Sequence, residues 1–357
     1  MERNKNKQKS YKKLLLDDVE SLRKMSIEIS SETFIFWYVM QKYALLTYDA
    51  RLQYHYTDIN GFMGIMQNRE LWATNTKFLN DKNECIECLH LGQETTREYS
   101  EACTDDSKQY LKCFHKVIQD RINQGSNQNI YSISFCREGD LLSQWRGYGQ
   151  KGGIAIGFNL VNGTMEHKGK KVAACYNFVD RYHYETVSEE KREKDDFGGS
   201  DGEFMIKLWK VIYDKKEKEK ILNDLIDIGI QTVRQGFLRG MYEEELVRNI
   251  MYSIDYLLPI FKNEGFEEEK EVRYIWRDDG TRKIYFREKN GIIIPYIKCM
   301  IRDCDCRELE VFPVKDIVIG PQPKQKEVID GVKMFLQHNG YEYLVDKVRP
   351  SEIPYRE

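Results

Sequence analysis

The stretch Leu52-Gln-Tyr-His-Tyr-Thr57 decides how the middle of the chain is expected to fold. Its aromatic and β-branched residues favour a short strand, and Asp58 behind it has a side chain that caps helix N-termini. The next segment carries apolar residues at helical spacing, at Ile59, Phe62, Met63 and Met66. A second strand is predicted over Leu71-Trp-Ala-Thr-Asn75. The central unit is therefore expected to run strand, helix, strand.

Outward from this unit, hydrophobic spacing predicts helices and strands of unequal length. The predicted helical ranges are 14–50, 82–123, 204–261 and 324–338. The predicted strands are 130–135, 152–158, 171–178, 292–296, 341–348 and two short ones within 309–320, with 271–276 and 283–286 as an adjacent pair. Residues 136–151 are expected to form a polar loop, and 185–202 an exposed linker.

This mixed order predicts an α+β fold rather than a regularly alternating parallel sheet. A chain of 357 residues is long enough for one large domain with insertions or for two ordinary domains. Residues 1–50 are expected to form a helical N-terminal extension, and residues 51–357 the main domain. A helical insertion is expected at about 185–265.

Composition narrows the class of protein. The formal net charge of −3 gives no global basic field of the kind that marks many nucleic-acid binders. No apolar run approaches the roughly 18 residues that cross a membrane, so a cytoplasmic protein without a membrane partner is expected.

The nine cysteines argue against a disulfide framework. Cys85 and Cys88 lie in a helical segment and Cys304-x-Cys306 is closely spaced, a combination that fits zinc poorly, so no metal site is expected.

His55 lies at a predicted strand end with a helix N-terminus directly after it. The free N–H groups and partial positive charge of that terminus suit a phosphate or ribose oxygen. A hydrogen-bonded, half-buried histidine is the other explanation of this motif.

Trp72 on the next strand can stack on a flat heterocycle or pack in the core. Asn80-Asp81 fits a turn and helix cap, although its side chains could also reach a ligand.

The loop Leu142-Ser-Gln-Trp-Arg-Gly-Tyr-Gly149 is dense in hydrogen-bonding and stacking residues. Arg146 lies between aromatic residues and could hold a pyrophosphate with two parallel hydrogen bonds. The alternative is that Trp145 and Arg146 lock the loop structurally. Gln144 and Tyr148 are further candidates for contacts with a ligand.

The acidic run before the strand 271–276 supplies two candidate carboxylates. Glu271 opens that strand, so the sheet is expected to hold its side chain, and Glu269 points the same way in an extended segment. Such a pair suits one carboxylate that stabilises a cationic sugar and another that orients the acceptor. The other explanation is an exposed, solvated acidic run.

Together these segments resemble bacterial domain-of-unknown-function family 2971. The residues that carry the resemblance are Tyr54-His-Tyr-Thr57, Leu79-Asn-Asp81, Ser143-Gln-Trp-Arg-Gly-Tyr-Gly149, the strand Lys270 to Arg273, and Ile353-Pro-Tyr-Arg356. That family is in turn similar to ADP-ribosyltransferases of the His–Tyr–Glu type, found in diphtheria-type toxins and in the DNA-modifying toxins of toxin–antitoxin pairs. The chain departs from their pattern at Trp72, where they have a tyrosine, and in the long insertion before Glu271.

The resemblance implies an ADP-ribosyltransferase-like split mixed β-sheet as the core, and NAD as co-substrate. The NAD-binding residues that it implies are His55, Tyr56, Thr57, Trp72, Asn80, Asp81, Gln144, Trp145, Arg146 and Tyr148. The catalytic residues that it implies are Glu271, His55 and Glu269. Glu271 would stabilise an oxocarbenium-like transition state as nicotinamide leaves, and Glu269 would position the nucleophile.

The function implied is transfer of ADP-ribose to a macromolecule by a bacterial toxin or phage-defence effector. The acceptor, whether RNA, DNA or protein, is left open by the sequence. A protein of this class is expected to have an antitoxin or inhibitory partner. Two other functions compete: an NAD glycohydrolase that depletes NAD, and a non-catalytic module that binds a nucleotide.

Overall fold

The structure, a computed structural model, describes residues 42–43, 46–47, 51–79, 84–102, 107–123, 129–148, 153–167, 170–186, 208–234, 243–278, 280, 282–303 and 308–354. The strands of these residues are β1 (Leu46–Thr47), β2 (Gln53–Asp58), β3 (Glu70–Asn75), β4 (Ile130–Cys136), β5 (Gly153–Phe158), β6 (Val161–His167), β7 (Lys170–Cys175), β8 (Asn177–Asp180), β9 (Leu208–Lys210), β10 (Glu271–Arg277), β11 (Tyr285–Lys289), β12 (Ile292–Arg302), β13 (Val314–Ile319) and β14 (Val348–Pro350).

The helices divide between the two faces of the sheet. They are α1 (Ile59–Asn68), α2 (Glu84–Ala102), α3 (Ser107–Asn123), α4 (Leu142–Tyr148), α5 (Arg181–Thr186), α6 (Lys215–Arg234), α7 (Glu243–Leu257) and α8 (Gln325–His338). Short 3-10 helices cover Thr76–Phe78, Leu258–Ile260, Glu264–Glu269 and Glu342–Lys347. No helix in the described part of the chain combines the length and apolarity that a membrane crossing requires.

Twelve of the described strands form one mixed sheet. Its main path runs β1-β9-β10-β4-β2-β5-β13-β14, and a branch runs from β4 through β3 to β12, which also pairs with β8 and β11. Neighbouring strands are antiparallel except for β13 and β14. The fold therefore agrees with the expected α+β class and its mixed sheet.

The sheet divides along one edge of β4. The first half of that edge pairs with β3, at Ser132 and Tyr131, whereas its end pairs with β2 through Cys136 and Tyr54. The helix α1 joins the two diverging strands and buries Phe62, Ile65 and Met66 in the core beneath them. As a result, the middle of β4 faces a gap between β2 and β3.

Two large apolar cores lie on opposite faces of the sheet, because neighbouring residues of a strand point to opposite sides. Ile275 of β10 belongs to the core that α2, α3, α6 and α7 cover. Val272 of the same strand belongs to the core under α1 and α8. A third, small cluster lies under α4 and contains Tyr56 and Trp145.

Local signals explain the elements around the gap. The Asp58 side chain accepts a hydrogen bond from the Gly61 backbone N–H at 2.7 Å, which caps α1 as expected. The helix ends at Arg69, whose φ of 51° is left-handed. The strand β2 is held in the sheet mainly by β5, with which it pairs along its whole length.

Several expected elements differ. The loop 136–151 contains the helix α4, and the helical range 204–261 begins with the strand β9. The strands β10 and β11 are not neighbours, since β10 pairs with β4 and β9, and β11 with β12. Tertiary packing overrides local propensity in each case.

Differences also occur towards the two ends of the chain. Leu46–Thr47, expected as helix, is a strand on β9, and most of 341–348, expected as strand, is a 3-10 helix. Residues 1–41, which include most of the expected helical extension, lie outside the described residues, as do 187–207.

Candidate functional site

A small cleft opens where β2 and β3 diverge from β4. It is lined by Tyr54, His55, Tyr56, Ser134, Phe135, Cys136, Gln144, Glu269 and Glu271. Five of the predicted site residues therefore share one cleft, here called the His55 cleft. They come from β2, α4, β10 and the 3-10 helix before β10. The cavity volume is about 40 Å³, far below the roughly 300–1,000 Å³ of pockets that bury small molecules.

His55 lies beside the unpaired middle of β4. Its Nδ1 is 3.0 Å from the backbone carbonyl oxygen of Ser134, and a carbonyl only accepts, so Nδ1 carries the proton. Its ring also packs edge-on against Phe135, with centroids 5.9 Å apart. Burial, together with the charges of Arg287 and Lys289, lowers the pKa of His55 to about 4, although the hydrogen bond to the Ser134 carbonyl opposes this. The imidazole is therefore neutral near pH 7, with Nε2 as a lone-pair acceptor.

Glu271 opens β10 as expected and accepts hydrogen bonds from three side chains. Arg273 donates to it through Nε at 2.8 Å and through Nη2 at 2.7 Å, and Lys262 donates at 2.9 Å. The Ser134 hydroxyl also donates to this carboxylate. Burial raises the pKa of Glu271, but the charges of Arg273 and Lys262 outweigh it, and the pKa is lowered. These four donors match the approximately four acceptor sites of a carboxylate.

Ser134 connects the two sides of the His55 cleft. Its backbone carbonyl accepts from His55, while its hydroxyl donates to Glu271. The same residue lies opposite Arg273 in the pairing of β4 and β10. A single strand residue therefore holds the imidazole and the carboxylate in fixed relation.

Glu269 differs from Glu271 in how many partners it has. Its carboxylate accepts from Lys262 at 2.6 Å, and its side chain is 16% exposed compared with 5% for Glu271. Burial raises the pKa of Glu269, although the charge of Lys262 opposes it. Of the two carboxylates, Glu269 is the one with acceptor sites left for another molecule.

The wall opposite the glutamates is rigidly built around Tyr56 and Trp145. The Tyr56 hydroxyl donates to the Glu138 carbonyl at 2.8 Å and accepts from the Leu141 N–H. Trp145 packs edge-on against Tyr56 and donates through Nε1 to Asp140 at 2.7 Å. Trp145 is buried in the small cluster under α4, so it locks the loop and does not line the cleft.

The aromatic residue Trp72 lies elsewhere. Its ring stacks on Tyr296, with centroids 4.4 Å apart and planes 27° apart, and its Nε1 donates to Glu70. Trp72 does not line the His55 cleft. Arg287 links the two places, because its guanidinium lies over the Trp72 ring and its charge acts on His55.

The remaining predicted residues either lie away from the cleft or are not described in enough detail to be placed. Thr57 is half-buried, and Arg146 is exposed on α4; neither lines the cleft. Tyr148 ends α4. Asn80 and Asp81 lie outside the described residues. In the described part of the chain, no three or more His, Cys, Asp or Glu side chains come together in a way that could hold a metal.

Four residues whose side chains form hydrogen bonds with Glu271 are absent from the sequence-based prediction: Ser134, Tyr213, Lys262 and Arg273. Arg273 had a detectable signal, since a residue two positions after Glu271 on a strand shares its face. Tyr213, whose hydroxyl accepts from the Glu271 N–H at 3.0 Å, and Lys262 are brought in by non-local pairing, for which a single sequence carries no such signal.

Comparison with known proteins gives one result. No curated protein and no solved structure shows significant similarity to the chain. Residues 144–274 match the model of a family described as Protein of unknown function (DUF2971). The matched segment covers less than half of the 357 residues and includes Gln144, Glu269 and Glu271. Over this segment the chain is similar to that family.

Proposed function

We propose that the protein is an NAD-dependent ADP-ribosyltransferase whose reaction takes place at the His55 cleft. One observation carries the proposal. A neutral histidine and two glutamates, drawn from separate elements, meet at the gap in a divided sheet, and Ser134 contacts both the histidine and Glu271. Cleavage of a glycosidic bond to a cationic pyridinium group requires such a combination of a hydrogen-bond acceptor for the sugar and carboxylates that stabilise its positive charge.

The residues divide the work by their charge. His55 accepts a hydrogen bond from a ribose hydroxyl at Nε2, because Nδ1 is already donating to Ser134. The glycosidic C–N bond breaks and its electron pair stays with the nicotinamide nitrogen. The carboxylates of Glu271 and Glu269 stabilise the oxocarbenium-like ribose that results.

Transfer is completed by an acceptor that forms a bond to the same ribose carbon. The nucleophile of the acceptor gives up its proton as this bond forms. Glu269 takes the proton, because its pKa is raised by burial and it keeps unoccupied acceptor sites. Glu271 acts mainly through its charge, since Arg273, Lys262 and Ser134 occupy its oxygens.

Substrate binding requires the cleft to open. A cavity of about 40 Å³ holds a water or a hydroxyl group but no sugar ring. The proposal therefore includes movement of α4 or of the segment Glu264–Glu269, each of which contributes one wall. The acceptor proposed is a macromolecule, and the setting a cytoplasmic toxin or phage-defence effector with an antitoxin or inhibitory partner.

The test is incubation of the purified protein with adenylate-labelled NAD and separate pools of protein, RNA and DNA. The wild type is expected to release nicotinamide and to label one pool. Glu269→Gln and Glu271→Gln are expected to lower nicotinamide release by about 10²–10³, the scale of removing one electrostatic stabiliser. Glu268→Gln is the matched control, because Glu268 lies on the same 3-10 helix and is exposed.

Two outcomes would overturn the proposal. Nicotinamide release that is equal in the wild type and both glutamine variants would remove the carboxylates from the chemistry. Nicotinamide release without label in any pool would identify a glycohydrolase. A third function, a non-catalytic nucleotide-binding module, is favoured by the saturated oxygens of Glu271, and it predicts binding of NAD without turnover.

A further inference from the structure

Arg287 of β11 is held in a well-defined position beside the His55 cleft. Its guanidinium carbon lies 5.3 Å from the centre of the Trp72 ring and 5.6 Å from that of Tyr296. Its Nη2 donates to the Thr74 hydroxyl at 2.9 Å. Two stacked rings and one hydrogen bond therefore orient the side chain, and none of them neutralises its charge.

Arg287 has no carboxylate within 4 Å among the described residues. Its Nε is buried and has no acceptor there. Arg121 and Arg282 also have a buried Nε without an acceptor, but each of them has a carboxylate neighbour. Arg273 is paired with Glu271, Arg121 with Asp255, and Arg181 with Glu70. A fixed, half-buried guanidinium without a counter-charge is costly, and it is the arrangement that an anionic ligand completes.

A second cation reinforces the positive charge. Lys289 lies two residues along β11, on the same side of the strand. Burial lowers the pKa of Arg287 and of Lys289, and the charge of Arg287 lowers that of Lys289 further. Asp58 is the nearby acid whose charge acts on both. Its carboxylate caps α1 and makes no ion pair within 4 Å in the described structure.

Strand pairing places this charge near the His55 cleft, because Arg287 donates to Thr74 of β3, and Thr74 pairs with Ser132, two residues before Ser134 on β4. The positive charges of Arg287 and Lys289 both act on the His55 imidazole. The capped N-terminus of α1 follows three residues after His55. An anion at Arg287 would therefore lie next to a sugar whose hydroxyl reaches His55. Neither Arg287 nor Arg146, the arginine expected for this role, lines the small cleft itself, and Arg146 is exposed on α4.

We propose that Arg287, assisted by Lys289, binds the diphosphate of a dinucleotide whose ribose contacts His55. A planar guanidinium matches phosphate oxygens with two parallel hydrogen bonds. Stacking on Trp72 occupies the face of the guanidinium and none of its N–H groups, of which Nη2 donates to Thr74. The inference rests on the proposed function, because it places the phosphates of the NAD that the His55 cleft would cleave.

The test measures binding by calorimetry with NAD, ADP-ribose, inorganic pyrophosphate and nicotinamide riboside as probes. Arg287→Met is expected to weaken binding of the first three by about tenfold to a hundredfold, the scale of a charge-assisted contact. Arg287→Lys is expected to recover only part of this, since the planar fork is lost. Nicotinamide riboside, which has no phosphate, should bind both variants as it binds the wild type.

Arg282→Met is the matched control. Arg282 also lies over a tryptophan, 4.3 Å from the Trp276 ring, but it has Asp180 as a carboxylate neighbour. Its loss is expected to leave all four affinities unchanged. This control separates a phosphate contact from the general loss of a stacked arginine.

The remaining outcomes distinguish this inference from the proposed function. If NAD binds the wild type and Arg287→Met equally, the diphosphate lies elsewhere and only this inference is overturned. If Arg287→Met weakens binding of an oligonucleotide but not of NAD, the arginine contacts a nucleic-acid backbone, and the dinucleotide assignment is wrong. If the wild type binds neither NAD nor pyrophosphate, both proposals are overturned.

Discussion

Two arginines on neighbouring parts of the sheet show opposite environments. Arg273 on β10 is 1% exposed, donates twice to Glu271 and once to the Pro259 carbonyl at 2.5 Å. Arg287 on β11 contacts two aromatic rings and a hydroxyl, and its Nε has no acceptor in the described chain. The first arginine has its counter-charge built into the fold, whereas the described residues offer the second no carboxylate within 4 Å.

The difference indicates what each residue is for. A buried pair such as Arg273 and Glu271 is expensive to break, so it fixes the geometry of the glutamate. A charge left uncompensated beside the His55 cleft contributes little to folding and is available for a ligand. Residue type alone does not separate the two roles, since both are arginines on strands flanked by aromatic residues.

The largest effect is expected from Arg273→Met. This change leaves Glu271 buried with Lys262 as its one remaining cation, and it removes the partner of the Pro259 carbonyl. The free energy of unfolding is expected to fall by about 3–5 kcal/mol, the scale for breaking a buried ion pair. Denaturant unfolding monitored by circular dichroism measures it.

A double variant controls for the loss of volume. Replacing both partners, as Arg273→Met with Glu271→Met, removes the stranded charge, so part of the lost stability should return. A single variant as stable as the wild type would show that the ion pair does not hold the strand end.

An intermediate effect is expected from pH acting on His55. Its folded pKa of about 4 lies below its ordinary value of 6.5, so the unfolded chain takes up the proton first as the pH falls. The contribution of His55 is complete above about pH 6.5 and decreases towards pH 4, with about 2 kcal/mol lost between roughly pH 7 and pH 5.

The variant His55→Asn keeps a donor for the Ser134 carbonyl and does not titrate. Its unfolding free energy should change less than that of the wild type between the same two pH values. Equal pH dependence of the two proteins would mean that His55 is not held neutral by burial.

The smallest effect is expected from Arg287→Met on stability. Methionine keeps a long side chain against Trp72 and Tyr296, and it removes a charge that has no counter-ion. The unfolding free energy should change by less than about 1 kcal/mol. A loss as large as that of Arg273→Met would mean that both arginines are structural.

Sequence patterns predicted the parts of the site that depend on local rules. The strand through His55, the cap at Asp58 and the strand opening at Glu271 are each set by residues within a few positions, and the structure has all three. The match of residues 144–274 to family DUF2971 supports the resemblance to that family, and it includes the loop up to Gly149 and the strand from Lys270 to Arg273, whereas the motifs at 54–57, 79–81 and 353–356 lie outside the matched segment.

The parts that depend on distant partners were not predictable. Trp145 was predicted to contact a ligand. In the structure its Nε1 donates to Asp140 and its ring packs against Tyr56. The proposed role of Arg287 could not be predicted, because it depends on the lack of a carboxylate within 4 Å among the described residues. A single sequence does not show which side chains surround a residue.

Asp140 has a consequence for the order in which the site is completed. Its carboxylate accepts from Trp145, from the Ser351 hydroxyl at 2.5 Å and from the Glu352 N–H at 2.7 Å. Every residue that lines the His55 cleft precedes Ser351 along the chain. During synthesis on the ribosome, Asp140 therefore gains its hydrogen bonds with Ser351 and Glu352 only after all cleft residues have emerged. If the cleft has the proposed activity, that activity would therefore become complete only when the C-terminal residues Ser351 and Glu352 have been made.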